Sequence, residues 1–342
     1  GDASFNSTLT VGGSSVLKST LNVTDDTTLQ SNLLLSGDAS LNGVLFASGD
    51  ASFNSTLTVG GSSVLKSTLN VTDDTTLQSN LLLSGDASLN GVLFASGDAS
   101  FNSSLTVGGS SVLKSTLNVT DDTTLQSNLL LSGDASLNGV LFASGDASFN
   151  SSLTVGGSSV LKSTLNVTDD TTLQSNLLLS GDASLNGVLF ASGDASFNSS
   201  LTIGGSSVLK STLNVSNDTT LQSNLLLSGD ASLNGSLFNL GDVSFNGDIN
   251  VGGDAYFDKD LTIKGNLSVF KNKSNAIINT TINNYQLIIT EDISLNGILS
   301  VANDASFNSK LFVNDDVSFN SNLSVSGDIM SNVISNTSIF QF

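Results

Sequence analysis

The chain contains no cysteine, proline, histidine or tryptophan, no arginine, and one methionine. Without cysteine it has no disulfide framework and no thiolate metal site, and the redox compartment is left open. Without histidine or cysteine, Ser-His and Cys-His nucleophilic mechanisms are excluded. The lack of proline suits a backbone whose N–H groups are nearly all needed for strand ladders. No run of about 18 apolar residues occurs, so no spanning helix is expected. Cations are scarce: ten lysines face 30 acidic residues, for a net charge of −20. That balance argues against nucleic acid, whose phosphates need a basic footprint, and against anionic membrane surfaces. It favours solubility and mutual repulsion between fibres, most strongly at low salt.

What fills the chain instead is a repeat. Residues 1–48 split into four twelve-residue lines: GDASFNSTLTVG, GSSVLKSTLNVT, DDTTLQSNLLLS and GDASLNGVLFAS. Position 5 is Phe or Leu (Phe5, Leu17, Leu29, Leu41), and position 9 is always Leu (Leu9, Leu21, Leu33, Leu45). Position 11 is Val, Leu or Ala, and position 3 is a small residue. Apolar residues at 3 and 5, then at 9 and 11, alternate with polar ones, which is the period of a strand with one buried face. Gly, Asp, Asn and Ser between these runs are corner formers, through backbone freedom or side-chain bonds to the backbone. Helix is disfavoured by the Ser, Thr, Asn and Gly content and by the lack of any sustained i, i+3, i+4, i+7 stripe. One line is too small to bury a core, so stability is expected to belong to the array. Hydrophobic content is 38% and glycine adds 32 residues; with the apolar residues so regularly placed, this argues against disorder.

The organisation read from these lines has four parts. Residues 1–264 are a regular shaft of five 48-residue blocks, starting at Gly1, Gly49, Gly97, Gly145 and Gly193, plus two divergent dodecads. Residues 265–290 break the register as an insertion or joint holding Tyr285, with four of the ten lysines between Lys259 and Lys273. Residues 291–326 resume the dodecads, and 327–342 form a cap or tip segment. The chain opens on Gly at the first position of a repeat, which predicts a segment of a longer array or a processed product.

The GDASFNS, GDVSFNG, EDISLNG and NDASFNSKLFV lines resemble the dodecad repeats of fibre-like structural proteins in giant viruses of algae and protists. They are also similar to the GDLTV-type repeats of phage tail fibres. NTTINNYQLIITEDISLNG resembles the segment that often precedes such repeats in the viral proteins. The resemblance spans nearly the whole chain. It implies an extracellular, virion-associated β-helical fibre and brings no catalytic residues with it.

The expected fold is therefore all-β: an elongated β-solenoid or β-helix of 12-residue repeats with a 48-residue super-repeat. Two architectures fit. In a single-chain solenoid each rung holds one or two dodecads; in an intertwined β-helix three chains share each layer. A one-dodecad rung is tight for Phe and Leu between sheets about 10 Å apart. Strict alternation also points Leu34 and Phe46, at position 10, outward as an apolar patch that wants a partner. Both considerations favour a homotrimer.

Candidate chemistry is sparse. Asp25 and Asp26 could serve glycoside hydrolysis as paired carboxylates, but the pair recurs as Asp73–Asp74 and Asp121–Asp122, whereas an active site is unique. A tailspike enzyme would need a unique cluster among Glu291, Asp304, Asp315, Asp316 and Asp328, whose repeat register makes them read as structural. Asp2, Asp26 and Asp38 share position 2, so stacking could align carboxylates into a ladder for Ca2+, against the plainer reading of solvated corner residues. N-x-S/T sequons recur at Asn6, Asn22, Asn54 and Asn70, and again at Asn266, Asn272, Asn279, Asn322 and Asn336. No catalytic, cofactor-binding or metal residue is assigned. The expected function is a non-catalytic structural fibre, a spacer or appendage of a virus particle or cell surface. The alternative is an adhesin or receptor-binding fibre whose C-terminal part contacts a host glycan or receptor. The expected partners are copies of itself and other fibre or virion proteins.

Overall fold

The computed structural model describes residues 1–263 together with Val313, Ser318, Ser324 and Ser326. The joint, the resumed dodecads apart from those four residues, and the tip segment expected from the sequence lie outside the described residues. The chain divides into two units, Gly1–Lys271 and Asn272–Phe342.

The first unit is a parallel β-solenoid of 44 three-residue strands, β1 (Ala3–Phe5) to β44 (Leu261–Ile263), one beginning every six residues. Three residues of strand and three of corner make a hexad. Each dodecad is two hexads, with strands at positions 3–5 and 9–11, as the alternation predicts. The strands lie in three sheets of 15, 15 and 14 members, and every neighbour in a sheet is three strands away in sequence. Ala3 pairs with Leu21, Ser4 with Asn22 and Phe5 with Val23, so one rung takes eighteen residues. That is one and a half dodecads, where the sequence suggested one or two. At about 4.8 Å per rung, some 14 rungs give a shaft of roughly 70 Å.

Three hexads per rung explain the twelve-residue period. Through the five blocks, odd hexads begin their strand with a small residue and even hexads with Leu; Val243 and Ile249 take these places in the first divergent dodecad. An odd number of hexads per rung brings opposite kinds into register, so small always stacks on large. One sheet reads Ala3, Leu21, Ala39, Leu57, Thr75, Leu93, Ser111, Leu129 at this position. Layers that alternate in this way interdigitate at interior density without voids or clashes. A rung of one or two dodecads would set small on small and Leu on Leu. The second inward position adds Phe53, Phe101, Phe149, Phe197 and Phe245 to the same continuous core, all buried.

Eight hexads per block and three per rung share no common factor. Every sheet therefore passes through the eight hexads in one cyclic order, and each hexad meets the same two neighbours wherever it occurs. Backbone groups are satisfied rung to rung, for example Leu21 N–H to the Asp38 carbonyl at 2.9 Å and Thr24 N–H to the Phe5 carbonyl at 2.9 Å. Corners stack as closely as strands. A Cβ on Gly133 would lie 2.6 Å from the Ser115 carbonyl carbon in the rung before, so close approach fixes this residue as glycine.

The core carries one recurrent cost. The hydroxyls of Thr75, Ser111, Thr123 and their equivalents are buried without a hydrogen-bond partner. Thr123→Val should remove that penalty and raise stability by about 1 kcal/mol. Ala135→Leu, by contrast, sets Leu between Leu117 and Leu153 and should cost roughly 1–3 kcal/mol by overpacking. Thermal melting of both variants checks the alternation: an Ala135→Leu variant as stable as the parent would contradict it.

Candidate functional surface

The middle residue of each strand faces outward, and the cyclic order of hexads turns these residues into bands. Down one sheet they read Phe46, Val64, Leu82, then Ser100, Asn118, Ser136, Thr154, Thr172, then Phe190, Val208, Leu226. Three apolar rungs alternate with five polar ones. The other two sheets carry the same bands at other heights, as in Phe94–Val112–Leu130 and Phe142–Val160–Leu178. The outward placement of Leu34 is as expected, at 39% exposure. Phe46 is part-covered: Lys66 Nζ sits 5.1 Å from its ring centroid, and Lys114, Lys162 and Lys210 repeat this over Phe94, Phe142 and Phe190. A cation over an aromatic face contributes about 0.5–1 kcal/mol at such exposed sites. The lysine stem also shields the ring. Phe238 lacks this partner and stacks on Tyr256 instead, with ring centroids 5.4 Å apart.

Beside the Val and Leu of three bands runs a shallow cleft. One is lined by Ser110, Val112, Asn128, Leu130, Asp146 and Ser148, and its copy lies 48 residues further on. Nothing in it is unique to one block.

The corner carboxylates do not stack on one another until the divergent end, where Asp230 meets Asp248 and Asp242 meets Asp260. Eighteen residues separate neighbours, so position 2 of one dodecad falls under position 8 of another. The row reads Asp50, Thr68, Asp86, Ser104, Asp122, with a hydroxyl between successive carboxylates. This corrects the aligned carboxylate ladder expected for Ca2+, and no group of three or more acidic residues converges among the described residues. Asp38 accepts bonds from the Ser55 hydroxyl (2.5 Å), the Thr56 hydroxyl (2.9 Å) and the Thr56 N–H (3.2 Å). The Ser55 bond first, then those of Thr56, hold its carboxyl below the usual aspartate range. Asp50, Asp98, Asp146 and Asp194 are held down in the same way by Ser67, Ser115, Ser163 and Ser211 and the threonine that follows each.

The Asp25–Asp26 pair sits on an exposed corner, and Asp26 accepts the Val44 N–H at 2.9 Å. Its copies Asp74 and Asp122 do the same for Val92 and Val140. One carboxylate of each pair is thus part of the corner ladder. Asn6 lies on a corner and Asn22 at the outward centre of a strand, both exposed. Asn266, Asn272, Asn279, Asn322 and Asn336 lie outside the described residues, as do Glu291, Asp304, Asp315, Asp316 and Asp328. The interleaved Asp–hydroxyl row was missed by sequence reasoning, although superposing positions 2 and 8 at a spacing of eighteen displays it.

Because these carboxyls titrate lower in the folded chain than in the unfolded one, their stabilisation is present above about pH 4 and lost as pH falls through the folded value. Melting temperatures should fall on the acid side, below about pH 4. Replacing Asp50, Asp98, Asp146 and Asp194 with Asn should flatten that fall. An unchanged acid slope would show that these bonds carry no linkage.

No protein-family model, curated protein or solved structure matches the chain.

Proposed function

We propose that the chain is a non-catalytic fibre shaft, a spacer or appendage whose work is to set distance. The observation that carries this reading is the invariance of neighbours. Because each hexad meets the same two partners in every block, a whole block can be added or removed without creating a new contact. Every block adds two and two-thirds rungs, about 13 Å. The chemistry of the described surface repeats with the block, which fits a role in geometry better than one in catalysis.

Location on a virion or cell surface rests on the resemblance to viral fibre repeats. The homotrimer now rests on that resemblance and on the outward apolar residues of position 10, such as Leu34. The crowding of a twelve-residue rung, which favoured three chains per layer, is relieved by eighteen residues, and this supports a core closed by a single chain. The adhesin reading places recognition after Lys264, where the sequence leaves the dodecad register. Its occupant would be a host glycan or receptor.

Deletion of residues 49–144 separates shaft from tip. The variant should fold, melt near the parent's temperature, and be shorter by roughly 26 Å in electron micrographs. Surface binding, where present, should survive if the C-terminal part recognises the host. A deletion variant that fails to fold would overturn the seamless block.

A further inference from the structure

The block length and the rung length together decide where the exposed apolar residues go. Successive blocks start on different sheets: Phe46, Val64 and Leu82 lie on one, Phe94, Val112 and Leu130 on the second, Phe142, Val160 and Leu178 on the third. Phe190, Val208 and Leu226 return to the first sheet only after 144 residues. The apolar patches therefore climb the shaft as a staircase, and no straight face shows more than three apolar rungs in eight. Leu82 is 42% exposed and its companions less or about as much. One patch thus offers on the order of 200 Å² of apolar surface, against the roughly 800 Å² per partner that a stable interface buries.

We infer that the mismatch of 48-residue block and eighteen-residue rung is a device that holds parallel shafts apart. A second copy lying alongside meets isolated patches separated by five rungs of Ser, Asn and Thr. To follow the staircase it would have to coil once in about eight rungs, roughly 38 Å, a pitch too steep for two stacked solenoids. A block of 54 residues would instead return every block to the same face and line the Val and Leu patches along one side of the shaft. The device rests on the shaft architecture and is independent of which particle bears the shaft.

The test joins the patches without touching the core. In the full chain, Ser100→Val, Asn118→Val, Ser136→Val, Thr154→Val and Thr172→Val make one face apolar from Phe46 to Leu226. A control carries the same composition dispersed: Ser40→Val, Thr106→Val, Asn118→Val, Thr202→Val and Ser232→Val. Circular dichroism confirms that both keep the parent's strand content. Small-angle scattering then reads the cross-sectional radius, which lateral pairing enlarges and end-to-end contact does not. The joined variant should at least double its cross-sectional mass, while parent and control keep that of one shaft. Repeating the measurement in about 1 M salt, where screening acts within about 3 Å, removes charge repulsion as the cause. Parent or control shafts that pair laterally at either salt, or a joined variant that stays single, would overturn the inference.

Discussion

The structure depends on one constraint: each strand's N–H and C=O groups must find partners in the next rung, on a strand in register eighteen residues away. Three strands of three residues and three corners of three residues satisfy that spacing, and the side chains follow from it. Inward positions alternate small and large along every sheet because an odd number of hexads separates stacked neighbours. Corners carry glycine where the backbone of one rung lies almost on that of the rung before. Stability then belongs to the stack as a whole, as in other repeat proteins.

Much of this is legible in the sequence, and the missing part has a definite cause. The inward set (Ala3, Phe5, Leu9, Val11), the corners between the runs and the outward placement of Leu34 follow from alternation alone. Alternation does not report how many strands close a rung. Twelve is the most visible period, but it records which hexads stack well and not how many make a circuit. Taking twelve as the rung also misaligned the carboxylates: Asp2 and Asp38 fall in one row with Thr20 between them, whereas Asp26, at the same line position, falls in another row between Thr8 and Val44. The placement of Lys66 over Phe46 was illegible for the same reason, because the two are neighbours only when rungs are eighteen residues apart.

The surface follows the same arithmetic. In rows such as Asp50–Thr68–Asp86 the hydroxyls keep like charges about two rungs apart and neighbouring donors bond one oxygen of each carboxylate, so an acidic shaft is tolerated in its own corners. Phe–Val–Leu bands are short, partly roofed by lysine, and distributed over three faces. These features recur with the block, and the departures, such as the Phe238–Tyr256 stack and the Asp230–Asp248 neighbours, gather at the divergent end of the described residues. A shaft whose every segment is equivalent can vary in length by duplication, and the near-identity of the five blocks fits that use.

The central claim, a rung of eighteen residues closed by one chain, can be measured in a protein that has no cysteine of its own. Thr58 and Thr76 face outward as direct partners on adjacent strands, and the strand spacing of about 4.8 Å falls in the Cα range of about 4.4–6.8 Å that a disulfide spans. Oxidation of a Thr58→Cys/Thr76→Cys variant should give an intramolecular bridge at monomer mass, whereas Thr58→Cys/Asn70→Cys, twelve residues apart, should remain as free thiols. Bridging of the twelve-residue pair in place of the eighteen-residue pair, or a covalent dimer or trimer from the latter, would contradict it.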